Sequence, residues 1–484
     1  MKVALIKPPA TYADWYKQPV FGIGYISAYL KLSGIDCRIF DAYFNSWSEK
    51  ETIEKVVEYS PDVIGLTAMT HEIIQASQIA SQLKERLNTP TIVGGCHVTA
   101  LPGRTLKEFP VFDYAVYGEG EKTVIELMKF LQQGGILEAS NIAGLVWRDT
   151  EGDIRVNQPR EPLTSLELDM LPYPDVKDYY KGPQALADKN SYYPMFTSRG
   201  CPYNCAFCMQ VMGRKLRRRS AENIIQEMEY AISHYGAHTF NFADDIFLFP
   251  NQETRELLQL MIDRSVPKRI RWSGLTRANF VTPELINLVK KAGCFRLEMG
   301  VESGDNEILK AINKGITVEQ VRNAVKIIKD SGILVSTYFI LGHPNETLET
   351  IKKTINLAAE LNTHTIAIGL MVPYPGTRIY EMAHRGEGGY RLLTEDWSQY
   401  DKYGGRVLEV GKLTFKRLSY WQAWAMVYFY LKNFRFLDLA KFFIQYRRGI
   451  FFVFKNFIAR SRKRRERGVS RGGESHDSRR RQGW

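Results

Sequence analysis

Twice along its 484 residues this chain alternates short β-branched or apolar runs with amphipathic stretches of helical period, and that alternation leaves few folds open. Runs that are apolar on both faces need helices on both sides, as in parallel α/β sheets. Over residues 1–135 the pattern predicts strands near 3–6, 37–41, 63–67, 91–94 and 114–117, with helices near 24–33, 49–59, 72–87 and 123–132, forming a doubly wound, Rossmann-like domain. Ligands in such sheets sit beyond the carboxyl ends of the strands. Those ends are rich in glycine and small polar residues: Pro8-Pro9, Gly65-Leu66-Thr67, Gly94-Gly95-Cys96-His97-Val98-Thr99 and Gly118-Glu119-Gly120-Glu121. A dinucleotide site would require G-x-G-x-x-G after the first strand, and that motif is missing there. Residues 136–190 read as a linker, with a short hairpin around Gly144-Leu145-Val146-Trp147 and an extended crossing through Pro159, Pro162, Pro172 and Pro174. The alternation resumes over 191–392, with strands near 193–198, 239–243, 271–275, 295–300, 334–341 and 365–371.

Directly after the first of these strands comes Cys201-Pro202-Tyr203-Asn204-Cys205-Ala206-Phe207-Cys208. Three thiolates at this spacing can hold three corners of a [4Fe-4S] cube and leave one iron for an outside ligand, since such clusters are normally closed by four cysteines. Structural zinc instead requires four closed ligands in paired units. The spacing, with Phe207 before the last cysteine, resembles the radical S-adenosylmethionine (SAM) superfamily. That resemblance implies that Cys201, Cys205 and Cys208 bind the cluster and that the open iron chelates SAM. One electron, from a reductase or a ferredoxin or flavodoxin, then yields a 5′-deoxyadenosyl radical. It predicts no catalytic residue beyond cluster-bound SAM.

The six βα units resemble the partial (β/α)6 barrel of that superfamily, whose site lies at the carboxyl mouth of the strands. The resemblance implies that Asp244, Asp245, Glu298 and Glu302 partner the cationic SAM, that Ser303 meets its ribose or carboxylate and that Phe207 packs on adenine. Loops 341–347 and 373–377 would then lie near adenine. Each carboxylate alone could equally be a helix cap or a surface ion pair. Cys294 reads as a small buried apolar residue.

The glycine-rich ends of the first module, together with Gly22-Ile23-Gly24-Tyr25, resemble the cobalamin-binding domain fused ahead of many radical SAM domains. The resemblance implies that Thr67, Gly94, Gly95, His97, Gly118, Glu119 and Gly120 lie against the corrin, which backbone without Cβ can approach closely. Cobalamin domains that put a histidine below cobalt carry Asp-x-His-x-x-Gly after the first strand; here Pro8-Pro9-Ala10-Thr11-Tyr12 stands there, so no lower axial histidine is expected. His71 and His97 read more readily as hydrogen-bonding loop residues than as ligands. Glu119 and Glu121 could instead meet the positive end of the following helix.

Charge is unevenly placed. Residues 1–411 hold 46 Lys+Arg against 49 Asp+Glu (net −3), whereas 412–484 hold 19 against 4 (net +15). Between 412 and 459 there are 16 aromatic residues and one acid, Asp438, and the longest uncharged run, 418–431, is 14 residues. A bilayer span takes about 20. The stretch 393–459 is therefore expected to be a helical extension that touches an anionic membrane surface or caps the barrel, and 460–484 a disordered basic tail. RNA binding is a third, disfavoured use of a basic arm. Six cysteines and no apolar N-terminal segment suggest a reducing cytoplasm, with peripheral contact at the inner membrane face.

Taken with the resemblance, these features predict functionalisation of an unactivated carbon, as C-methylation of a large apolar lipid, isoprenoid or tetrapyrrole-like substrate. The alternatives are ring closure of the anaerobic magnesium-protoporphyrin monomethyl ester cyclase type, or a non-catalytic cobalamin or iron–sulfur sensor. An RNA methylthiotransferase needs three N-terminal cysteines, and only Cys37 and Cys96 are present.

Overall fold

The computed structural model describes residues 1–9, 18–132, 138–188 and 191–444. The described residues fall into two compact units, one ending at Phe429 and the other beginning at Tyr430.

The first sheet has seven strands: β1 (Lys2–Lys7), β2 (Asp36–Asp41), β3 (Val63–Thr67), β4 (Thr91–Gly94), β5 (Tyr114–Val116), β6 (Leu145–Arg148) and β7 (Ile154–Val156). Their order is β2-β1-β3-β4-β5-β6-β7; the first five are parallel and the last two antiparallel. The hairpin read in the linker therefore does not stand apart but extends this sheet. The crossing beyond it is interrupted by a short helix, Ser165–Asp169, whose Thr164 and Glu167 form a reciprocal cap. Gly24 lets this crossing approach: a Cβ there would lie 3.3 Å from Pro174, and the Asp175 amide donates to the Gly24 carbonyl at 3.0 Å.

The second sheet is six-stranded and wholly parallel, in the order β15-β14-β13-β12-β11-β8. Its strands are β8 (Tyr193–Met195), β11 (Thr239–Phe242), β12 (Arg271–Thr276), β13 (Cys294–Glu302), β14 (Leu334–Leu341) and β15 (Thr365–Leu370). The strand expected over 193–198 breaks after Met195. The Thr197 and Ser198 amides turn to the Asp244 carboxylate, and the chain pairs instead as a ribbon of β9 (Ser198–Arg199) and β10 (Arg217–Arg218). This ribbon sets the start of the cysteine loop. Cys294 is buried, as its position implied.

After the barrel, β16 (Tyr390–Leu392) and β17 (Leu408–Val410) form a second ribbon, and the segment between them returns to the first module. Trp397, Tyr400 and Val407 belong to one apolar core with Ala4, Ile64, Val93 and Val98. From 393 to the helix Phe415–Lys432 the described helical structure is a single turn, Trp397–Gln399. The longer helix buries Leu418, Ala425 and Phe429 on one side, and its Gln422 amide donates to the Ile368 carbonyl of β15 at 2.8 Å. Residues 445–484 lie outside the described residues, as does the tail expected there.

Candidate active site

Cys201, Cys205 and Cys208 form no disulfide, and their loop is pinned from behind. The Ala206 amide donates to the Ile312 carbonyl at 2.9 Å, and the Ile379 amide to the Ala206 carbonyl at 3.0 Å. The three thiols lie within electrostatic reach of one another, and Cys201 and Cys208 also of Asp245. Burial pushes Cys201 above the ordinary thiol range and Cys208 up to about 12, although Cys208 itself keeps an exposed face. Thiolates here call for a cationic partner, which iron provides. Among the described residues no three His, Cys, Asp or Glu side chains are placed to share a single metal ion, and thiols that each hold a different iron need no such convergence. The loop fits a cluster.

The strand ends divide the candidate acids. Asp244 is buried and fully engaged, accepting from the Thr197 amide at 2.7 Å, the Ser198 amide at 3.1 Å, the Ser198 hydroxyl at 3.0 Å and the Thr197 hydroxyl. Glu298 lies within β13, where Tyr338 donates to it at 2.5 Å and Arg296 pairs with it at 3.2 Å. Glu302 has a left-handed φ of 71°, pairs with Lys314 at 2.6 Å, and its carbonyl meets His343 Nε2 at 3.3 Å. Ser303 is buried, with its hydroxyl 3.3 Å from that of Thr354. Asp245 differs from all of these. It is exposed, bonded to no described side chain, and its carboxyl is pushed up by the surrounding protein and by Asp244.

On the opposite side, Thr67 and Gly94 sit in register at the ends of β3 and β4. Gly95 has φ +106°, and a Cβ there would fall 2.7 Å from the Ala68 carbonyl oxygen. Gly118, at φ +75°, is exposed to open space, and its amide donates to Thr99 Oγ1 at 3.1 Å. These ends present backbone free of Cβ, which suits a flat macrocycle. The burial of Cys96 raises its thiol, and Asp245 adds to the shift, so this loop and the cluster side lie within electrostatic reach.

The remaining candidates on this side are used within the protein. His97 is buried edge-on to Trp397 at 5.1 Å and Phe109 at 6.4 Å; burial lowers it to about 4, so it is neutral, and neither ring nitrogen has a described partner. Glu119 is held by Arg217 at 2.6 Å, Arg199 at 3.7 Å and the Leu163 amide at 2.8 Å, while Glu121 pairs with Arg199 at 2.6 Å. Glu121 stands in the first turn of the helix Glu121–Gln132, as the helix-end alternative has it, and the pair also forms a buried clamp on the ribbon that brackets the cysteine loop. Gly120 packs on Ile26, 3.4 Å from where its Cβ would be. Phe207 lies 5.7 Å from Lys314 Nζ.

Three residues escaped the sequence reading. Lys7, at the end of β1, forms a buried pair with Glu72. Arg277 and Lys314 flank the cysteine loop, Arg277 lying 3.6 Å over the Tyr203 ring. Arg277 follows the apolar run of β12 and was readable as a strand-end residue; Lys314 carried no such signal.

The Radical SAM superfamily model matches residues 195–358, and the B12 binding domain model matches 16–128. An uncharacterized methyltransferase of Pyrococcus horikoshii, PH0819, is 31% identical over 445 residues, which cover 89% of this chain and 93% of the relative. The chain belongs to the B12-binding radical SAM enzymes. Within that family, the anaerobic magnesium-protoporphyrin IX monomethyl ester cyclase of Rubrivivax gelatinosus is 28% identical, covering 79% of this chain and 68% of the cyclase. The fold matches the radical SAM methyltransferase TsrM of Kitasatospora setae with a TM-score of 0.70 at 19% identity, covering 89% and 88% of the two chains. The cobalamin-dependent radical SAM enzyme OxsB also matches at 0.70 and 19%, covering 87% of this chain and 66% of its own. The cofactors of this B12-binding radical SAM enzyme are a [4Fe-4S] cluster, SAM and cobalamin.

Proposed function

We propose that this enzyme C-methylates an unactivated carbon of a large apolar molecule. One observation carries the reading: Asp245, bonded to no described side chain, lies within electrostatic reach both of Cys201 and Cys208 in the cluster loop and of Cys96 in a strand-end loop of the first module. When bound, cluster and SAM supply hydrogen abstraction, and cobalamin supplies a transferable methyl group. Cys201, Cys205 and Cys208 hold the cluster, and Asp245 accepts the ammonium of SAM through a charge-assisted hydrogen bond. Glu302, with Lys314, and Ser303 would hold the ribose of SAM, and Phe207 would pack on its adenine. Thr67, Gly94, Gly95 and Gly118 support the corrin. His97, Glu119, Gly120, Asp244 and Glu298 act behind these surfaces by holding them in place.

An apolar substrate accords with the second unit. Phe434 and Leu437 are 81% and 80% exposed, Phe436 and Ile444 are also exposed, and Lys432, Arg435 and Lys441 lie among them. No described helix is long and apolar enough to cross a membrane. The mixture suits the interface of an anionic bilayer, where aromatic side chains enter the headgroup layer and cations meet lipid phosphate. The F434S/L437S variant should bind anionic vesicles at least about tenfold more weakly, at roughly 1.5–3 kcal/mol per apolar side chain. Sedimentation with vesicles checks this, and unchanged binding would remove the membrane from the proposal.

The decisive experiment incubates reconstituted enzyme anaerobically with reductant, SAM labelled on its methyl group and extracted cellular lipids and pigments. Label in an extractable product supports methylation. Release of 5′-deoxyadenosine without label transfer would favour oxidative cyclisation, and no release a sensor. The C205A variant should lose iron, cluster absorbance and SAM cleavage together.

A further inference from the structure

Arg277 is a buried cation whose acceptors among the described residues are all neutral. It is 4% exposed; Nε donates to Asn279 Oδ1 at 3.3 Å and an Nη to the Lys314 carbonyl. The acid beyond, Glu302, is taken by the Lys314 ammonium at 2.6 Å. A buried guanidinium without an anion is strongly unfavourable, so a counter-charge is expected beside it. Its position says where. The guanidinium carbon lies 3.6 Å from the centre of the Tyr203 ring, between the first two cysteines of the loop, and its charge reaches the Cys201 thiol.

A cube held by three thiolates carries net negative charge, and reduction adds one more. A fixed, buried cation whose charge reaches a cluster ligand favours the reduced state over the oxidised one. We infer that Arg277 is the counter-ion of the cluster and holds its reduction potential up, with the Tyr203 ring as the platform that orients the guanidinium. The inference rests on Cys201, Cys205 and Cys208 being the cluster ligands. Arg277 is a positioning and tuning residue in this role, not a catalytic one.

The test is an anaerobic redox titration without SAM, followed by electron paramagnetic resonance of the reduced cluster, on the wild type and the R277Q, R277K and N279D variants. R277Q should lower the equilibrium constant for reduction about tenfold or more, ~59 mV for a one-electron couple. R277K, which keeps the charge, should recover most of that loss. Asn279 is exposed, and N279D sets a carboxylate against Arg277 without changing size, so it should lower the midpoint in the same direction. If R277Q fails to hold its iron, the N279D midpoint decides. Wild-type midpoints in R277Q and N279D overturn the inference. A wild-type midpoint with weakened SAM binding in R277Q would overturn it in favour of a cation for the SAM carboxylate. Full cluster content in C205A would instead mean that the ligand assignment has failed, a result separable from any of these.

Discussion

Adjacent in sequence, Asp244 and Asp245 do different work because only one has its lone pairs filled. Removing Asp244 leaves two amides and two hydroxyls of Thr197 and Ser198 without an acceptor, so Asp244→Ala should cost about 2–4 kcal/mol, read as a lowered denaturant midpoint. Asp245→Asn should leave stability near wild type and weaken SAM binding roughly 10- to 100-fold, the worth of a charge-assisted bond, with iron content retained. Equal loss of stability in both would end the distinction. A second acid, Glu346, is buried and raised from 4.5 to about 8 by desolvation, which the Gly342 and His343 amides only partly offset. Between those values the folded state binds the extra proton, so stability falls as pH rises. His343, lowered from 6.5 to about 4 by burial, acts oppositely: its unfolded form takes the proton, so stability rises with pH through that window. From pH 6.5 to 8 only the Glu346 effect of the two remains. Glu346→Gln should flatten that limb of thermal stability by on the order of 2 kcal/mol, checked by melting across the range. That the cysteines mattered was legible, since spacing alone carries ligand geometry. Which of four acids lacked a partner was not, because the donors that fill Asp244 and Glu298 come from other strands.

Apolar runs between turn residues match their expected bounds: β3, after Pro61-Asp62, and β14, between Gly332 and Gly342, fall on 63–67 and 334–341. The failure was local. Residues 193–198 look like one strand, but Asp244 competes for the amides that would continue it, and a competitor 46 residues away leaves no trace in the run itself. The cap at Thr164 and Glu167 has the sequence signature of a helix start, set within a stretch whose prolines imply an extended crossing. The clamp of Glu119 and Glu121 on Arg199 and Arg217 joins the turn after β5 to the β9–β10 ribbon, whose two strands bracket the cysteine loop, β9 ending two residues before Cys201. Breaking one buried pair strands its partner's charge, so Glu119→Gln should destabilise by about 3–5 kcal/mol. Replacing Glu119 and Arg217 together by leucine and methionine should restore most of it. A double variant as unstable as the single one, by chemical denaturation, would deny the coupling.

Across the whole molecule, the two-sheet plan followed from alternation, but the return of the chain after the barrel did not. Trp397 and Tyr400 sit in a segment rich in polar residues, so nothing local marks them as core, yet Trp397 bonds Glu108 at 2.7 Å and packs on His97. Trp397→Ala should cost about 3–5 kcal/mol and unfold the first module as readily as the second, seen as one coincident transition by tryptophan fluorescence and circular dichroism. The position of this segment also bears on synthesis. A ribosome making about 5–20 residues per second takes roughly 20–80 s to go from the first strand to Trp397. Until then the nascent first module lacks the Trp397, Tyr400 and Val407 side chains that complete its apolar core, and its flank stays open to water.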